Sequence, residues 1–462
     1  ENSSVGGKVC MGLQRNDEFG IGVDRRLFLR NSGLAVGAFA LPQVLQARAQ
    51  TPGSTPAKQV IVIFLQGGLS HLDSWDLKPD APAEYRGEFQ PISTNVPGFS
   101  ISEHMPLLAQ RADRYSVIRS AYHGTPSHEA AIHWTLTGYD YPGANTTTKN
   151  RNIKPSMGSI VSKTKGPNRA GLPAYVCVPD RGQLGDRVRY AAANYLGLAH
   201  DPFESGMPPA NATNPFPTPP NLSLAKGTDL RRLEHRLGLL RDLDHLPRAL
   251  DGNSAMAGLD EFNRQAIELL AHDVTRNAFD MSQESIAVRQ RYGNTSFAQR
   301  LVLARRLAEA GVTFTLVNFA NNQDWDTHVG NFKSLKETRL PELDRAVSAL
   351  LDDLEERGLL DTTMVALFGE FGRTPKINAN AGRDHWSNVF SVMLTGGGLK
   401  RGQVLGASSP NGEIPQTRPI HFNDILATMY HQLGIPGDRV FHDQFARPFP
   451  IVDGGLLIPE LL

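Results

Sequence analysis

TTMVALFGEFGRTPKINANAGRDHW, residues 362–386, sets the reading of the whole chain. An apolar, β-type run at 364–368 stops at Gly369 and releases Glu370, Arg373, Asp384 and His385 into a glycine-rich stretch. In α/β proteins, binding and catalytic groups collect just beyond the carboxyl ends of parallel strands. Two acids, an imidazole and a guanidinium delivered there suit a divalent metal together with an anionic substrate. The same side chains also fit a solvated loop with ordinary ion pairs, so repetition of the pattern decides between the two.

It repeats twice. In AKQVIVIFLQGGLSHLDSWDLKPD (57–80), a continuously apolar run at 60–65 ends in Gln66-Gly67-Gly68, and His71, Asp73 and Asp76 follow. In GVTFTLVNFANNQDWDTHVGNF (311–332), the run 312–319 precedes Asp324, Asp326 and His328. Uninterrupted apolar runs mark strands covered on both faces. Asp and His are also turn and cap residues, so each cluster alone is a weak signal. Three strands that each discharge acids and histidines point to one metal site assembled from distant segments.

Around these anchors the chain alternates. Strands are expected at 60–65, 117–120, 174–178, 312–319, 362–368 and 389–395, with helices at 127–137, 339–357 and 423–433. Such alternation predicts an α/β fold with a largely parallel sheet between helices. Residues 201–225 form a Pro- and Asn-rich excursion, and 228–310 read as mostly helical, with Leu233, Leu237, Leu240 and Leu243 on one face. Phe297, Leu301, Ala304 and Leu307 make another such face. With no strand pattern inside it, 201–300 is expected to be a helical insertion or cap, and 59–462 one domain.

The 462 residues are 40% hydrophobic and 20% charged, enough for a large core. Lys+Arg and Asp+Glu both number 47, and no basic stripe is interleaved with aromatics, so nucleic acid and anionic membranes are not expected partners. Near the start, Asp24-Arg25-Arg26-Leu27-Phe28-Leu29-Arg30 precedes a weakly apolar stretch at 33–41 and then Ala47-Arg48-Ala49. That is the order of a twin-arginine export signal, over 1–49, with a Pro/Thr/Ser linker at 50–58. It implies the twin-arginine export machinery as a partner and a periplasmic or extracellular destination, with membrane attachment only through an uncleaved signal. Of two cysteines, Cys10 lies ahead of the signal, so the mature chain keeps Cys177 alone and no internal disulfide.

The runs GGLSHLDSWDLKP, WDTH, FGEFGRTP, GRDHW, TGGGLKRGQVLG and NDILATMYHQLGI resemble an exported bacterial family of unknown function (domain of unknown function fifteen-oh-one). The wider pattern resembles the alkaline phosphatase/sulfatase superfamily. That resemblance implies a three-layer α/β/α fold and a site of one or two divalent ions. Asp73 stands where the pattern has its first metal-binding acid, and Asp326 and His328 where it has an Asp…His pair. Glu370 takes the place of the Asp in an Asp-His-Gly turn, Phe371 replaces that His, and Asp384-His385 could restore the imidazole. Oxygen donors with histidines favour zinc or manganese, with iron also compatible; without the histidines, calcium or magnesium would be favoured.

The superfamily also implies a nucleophile at a helix start, for which Thr125 and Ser127 are the candidates, and Arg373, with Arg383, is expected to grip an anion. The plainer reading makes Ser127 a helix N-cap with Glu129 nearby and Thr125 a residue before proline. His128 is expected to face the metals and His133 to pack. Cys177-Val178-Pro179-Asp180-Arg181 matches a formylglycine signature but sits in a strand pattern, so Cys177 is read as a small strand residue. The expected function is an exported metal-dependent hydrolase of phosphate or sulfate esters, acting on a small-molecule or polysaccharide ester. The alternative is a non-catalytic, metal-containing binding or scaffold protein on the same fold.

Overall fold

The computed structural model describes residues 57–141, 153–206 apart from 182 and 185–187, isolated pieces between 211 and 238, and 254–319 and 324–462. The expected signal region 1–49, the linker as far as 56, Cys10 and the leucine face at 233–243 lie outside the described residues.

Among the described residues, nine strands form the main sheet. They are β1 (Gln59–Phe64), β2 (Ser116–Tyr122), β3 (Tyr175–Val178), β4 (Phe203–Glu204), β5 (Phe314–Asn318), β6 (Thr363–Phe368), β7 (Phe390–Thr395), β8 (Val404–Leu405) and β9 (Ile420–His421). Across the sheet the order is β8-β2-β7-β6-β1-β5-β3-β4, with β9 also pairing with β2. Every pairing is parallel except those of β7, which runs against both β6 and β2. The largely parallel sheet expected from the sequence is thus present.

All residues of β1 and β6 are buried, which is why their sequences show apolar runs rather than alternation. Val60, Val62 and Phe64 face one layer, with α1 (His128–Thr137), α2 (Met157–Lys165) and the carboxyl-terminal helix Phe422–Gln432. Ile61 and Ile63 face the other layer, where Ser296–Ala310 and Leu340–Glu356 supply Leu301, Ala304, Leu307, Leu343 and Val347. Two apolar layers on one sheet make the α/β/α sandwich. Among the described residues, no helix is long and apolar enough to cross a membrane.

Three two-residue strands, β4, β8 and β9, are not among the strands expected from the sequence. The two-residue strand β4 lies inside the 201–300 stretch and extends the sheet by pairing with Val176 and Cys177. Two residues carry no periodicity, so no sequence pattern could announce it. Cys177 is fully buried in β3 and its thiol is pushed up by burial, as suits a small strand residue.

The register brings the strand ends level. Phe64 pairs with Asn318 on one side and Phe368 on the other, so whatever follows these three residues emerges at one edge. After β1 the chain turns through Gly67 and Gly68, at φ +110° and +89°. A Cβ on Gly67 would stand 2.4 Å from the backbone nitrogen of Asp326. Only glycine fits that backbone approach and that dihedral angle. Gly67→Ala should therefore cost about 2 kcal/mol or more in urea unfolding. An unchanged midpoint would show that the β1 turn does not press on the segment carrying Asp326.

Candidate metal centre

Three features of the topology deliver side chains to this edge. The turn after β1 meets the segment after β5, where the amide of Trp325 donates to the carbonyl of Gln66 at 3.2 Å. Because β7 is antiparallel, the connection from β6 to β7 begins and ends at this same edge, and it carries Glu370, Arg373, Arg383, Asp384 and His385. A short antiparallel pair, Gly372–Arg373 with His385–Trp386, pins the two halves of that connection together. Finally, β2 runs parallel to β1, so His123, Thr125, Ser127 and the start of α1 follow its carboxyl end.

At the centre is Asp326. Its Oδ1 lies 3.0 Å from His328 Nε2, 3.0 Å from His385 Nε2 and 2.6 Å from Arg373 Nη2. His128 Nε2 stands 3.3 Å from Oδ2, close but not aligned for a hydrogen bond. The Nε2 atoms of His328 and His385 are 3.0 Å apart. Donor atoms of His128, Asp326 and His385 all lie within 4.8 Å of one another.

Each imidazole is held from behind. His128 Nδ1 donates to Glu370 Oε1 at 2.6 Å, His328 Nδ1 to Asp384 Oδ1 at 2.6 Å, and His385 Nδ1 to the Pro126 carbonyl at 2.9 Å. A carbonyl only accepts, so His385 Nδ1 carries a proton, and its Nε2 faces Asp326. Ligating histidines characteristically donate their second ring nitrogen in this way. Glu370 is itself fixed by the amide of Gly67, 2.9 and 3.0 Å from its two oxygens.

The charges reinforce one another. Burial pushes the His128 imidazole down, but the neighbouring carboxylates of Asp326 and Glu370 together outweigh it and hold it at about 9. Burial raises the Asp326 carboxyl, yet His128, His385 and Arg373 jointly keep it well below the usual carboxylate range. Asp384 is lowered chiefly by its hydrogen bond from His328. Burial lowers Arg373 from its ordinary value.

Of the sequence-predicted residues, Asp326, His328 and His385 are brought together directly. Glu370 and Asp384 stand behind imidazoles, with carboxylate oxygens already accepting bonds; Asn378 also donates to Asp384 Oδ1 at 3.2 Å. Asp73 is placed in a fully buried ion pair: Arg383 Nε and Nη2 lie 2.8 and 3.1 Å from its two oxygens, and Ser70 and Asn331 also donate to it. Arg373 is in the centre, but its fork is engaged by Asp326 and by the carbonyls of Gly67, Gly68 and Arg383. That leaves no two-pronged face for an anion.

Thr125 and Ser127 flank Pro126, whose carbonyl holds His385. Ser127 is the N-cap of α1 by position, without a side-chain cap bond, and its hydroxyl donates to Glu129 at 3.1 Å. The Phe371 ring stacks on His385, with centroids 4.6 Å apart, so the aromatic that replaces a histidine braces the imidazole that arrives from further along.

His128 points into the cluster, as expected, and donates from its other nitrogen to Glu370; what the ligand set drawn from sequence lacked was this residue itself. Its only signal was a histidine at the start of a helix after a strand end. His133 is packed: burial lowers it to about 4 and its Nδ1 meets the Tyr139 carbonyl. His71 is likewise buried against the Gly412 carbonyl, Asp76 holds Lys78, and Asp324 pairs with Arg339.

Fold and site together define a three-layer α/β/α protein with a His/Asp cluster at the carboxyl edge of its parallel strands. The chain belongs to the family described as "Protein of unknown function (DUF1501)", which matches residues 57–462. A comparison with curated protein sequences gives no match. Among solved structures it is similar to Ps i-CgsB in complex with k-i-k-neocarrahexaose, at 12% identity, 83% of this chain, 73% of that one and TM-score 0.38. It is similar to the phosphonate monoester hydrolase SpPMH from Silicibacter pomeroyi, at 11% identity, 83% and 74% coverage and TM-score 0.32. The third is the alkaline phosphatase from the Antarctic bacterium TAB5, at 12% identity, 82% and 99% coverage and TM-score 0.33. All three likenesses are distant.

The placement of Asp73 has a measurable consequence. Asp73→Asn leaves the Arg383 guanidinium charged and unpaired in the interior, which should cost about 3–5 kcal/mol. Metal content of the folded protein, by mass spectrometry, should be unchanged. Lost metal with full stability would make Asp73 a ligand instead.

Proposed function

We propose that this protein is an exported metal-dependent hydrolase of phosphate or sulfate esters, acting on small-molecule or polysaccharide substrates in the periplasm or outside the cell. The observation that carries the reading is the convergence of three imidazole Nε2 atoms on one partly buried carboxylate, at the edge where α/β proteins bind ligands. His128, Asp326, His328 and His385 would hold the metal, with zinc or manganese favoured over calcium or magnesium. Two donors about 2.0–2.1 Å from one zinc ion stand about 3.3 Å apart, close to the 3.0–3.3 Å that separates Asp326 from each imidazole nitrogen. When bound, such an ion polarises the ester's phosphoryl or sulfuryl oxygen.

The chain's own groups do the rest. Arg373 holds Asp326 and the Gly67-Gly68 turn in place, and Glu370 holds His128. Thr125 and Ser127 are the nucleophile candidates, at the start of a ten-residue helix whose dipole favours a developing oxyanion there. Glu129, accepting from the Ser127 hydroxyl, is placed to take its proton.

A second reading has its own support. Arg373 and Arg383, the two guanidiniums expected to grip an anion, are both fully buried and engaged internally. This favours a metal-containing binding or scaffold protein without turnover.

The signal-cleaved, zinc- or manganese-loaded protein should hydrolyse members of an aryl phosphate and aryl sulfate panel. Asp326→Asn and His385→Ala should reduce the rate to background. Thr125→Ala or Ser127→Ala should abolish turnover with metal retained if that hydroxyl attacks. Activity that is identical in all four variants excludes this site as the catalyst; bound metal with no activity on any ester favours the scaffold.

A further inference from the structure

The donor set is richer in nitrogen than a site built from strand-end acids would be. Three of its four donor groups are imidazoles, and in each the nitrogen facing away already has an acceptor: Glu370, Asp384 or the Pro126 carbonyl. We infer that the centre takes a single ion of the zinc class through His128, His328, His385 and Asp326, and that Asp384 is a positioning residue which aims His328 at that ion. This inference rests on the metal reading above and narrows it.

Two observations argue for one ion. The other carboxylates near the cluster among the described residues are engaged: Glu370 by the Gly67 amide and His128, Asp384 by His328 and Asn378, and Asp73 by Arg383. The permanently charged Arg373 also sits 2.6 Å from Asp326 Oδ1, where a second cation sharing that carboxylate would meet like charge. The class follows from donor chemistry. Calcium takes six to eight oxygen ligands and magnesium holds to oxygen and water, whereas imidazole suits zinc and its transition-metal neighbours.

Asp384 and His328 are the accessible half of the arrangement, with side chains 52% and 41% exposed, while His128 and Glu370 are buried at 10% and 0%. Substitution at 384 therefore disturbs no core packing. Removing the acceptor frees the His328 ring to rotate and to carry its proton on either nitrogen, which weakens the lone pair presented inward.

The test is competitive zinc titration against a chromophoric chelator, on full-length folded protein first stripped of metal. The wild type should bind one zinc per chain, and millimolar calcium or magnesium should not displace it. Asp384→Ala should weaken zinc binding about 10- to 100-fold at unchanged stoichiometry. Asp384→Asn, which keeps an acceptor for the His328 proton, should lose less. His328→Gln should lose at least as much as Asp384→Ala. Thermal melting of the stripped variants should match that of the stripped wild type, which separates positioning from folding. Two zinc ions per chain, displacement by calcium or magnesium, or equal affinity in Asp384→Ala would overturn the inference while leaving a metalloprotein. A wild type that binds no metal would remove the functional reading as well.

Discussion

Every imidazole nitrogen that faces Asp326 does so because the opposite nitrogen of the same ring is held elsewhere. That constraint organises the centre. A histidine free at both nitrogens samples tautomers and rotamers, and three such rings beside one carboxylate would make a disordered polar pocket. Here a glutamate, an aspartate and a backbone carbonyl each hold one ring, and the three inward nitrogens lie 3.0–3.3 Å from the Asp326 carboxylate. The glutamate is held in turn by the Gly67 amide, so the strand-end turn and the imidazole orientation are one mechanical unit.

The fold supplies what that unit needs. Level register at Phe64, Asn318 and Phe368 brings three segments to one edge from positions some 250 and 300 residues apart in sequence. Within the main sheet, the antiparallel strand β7 returns the Asp384-His385 segment to the edge that Glu370 left. Beneath them, the buried pair of Asp73 and Arg383 ties the loop after β1 to that returning segment. Such a pair contributes little net stability against an apolar replacement, but losing one partner is costly, so it enforces one arrangement of the two loops.

Much of this was legible in the chain. Fully buried parallel strands leave uninterrupted apolar runs, and the strands at 60–65, 312–319 and 362–368 were placed within about two residues of their observed ends. The Asp and His clusters after them gave away the edge and three of its central residues. What could not be read was which carboxylates face inward. Asp73, Glu370 and Asp384 carry the same chemistry as Asp326; only the partners that three-dimensional packing gives them separate an ion pair and two ring holders from a donor. A histidine at a helix start, such as His128, has no pattern that marks it as a ligand, and β4 is too short to have a periodicity.

Crystals grown with zinc and measured at the zinc absorption edge test the central claim most directly. The account predicts one anomalous peak per chain, bounded by the Nε2 atoms of His128, His328 and His385 and by the Asp326 carboxylate, with Asp384 on His328 Nδ1. A peak bound by Asp73, Glu370 or Asp384, or no peak at Asp326 in zinc-saturated crystals, would contradict it.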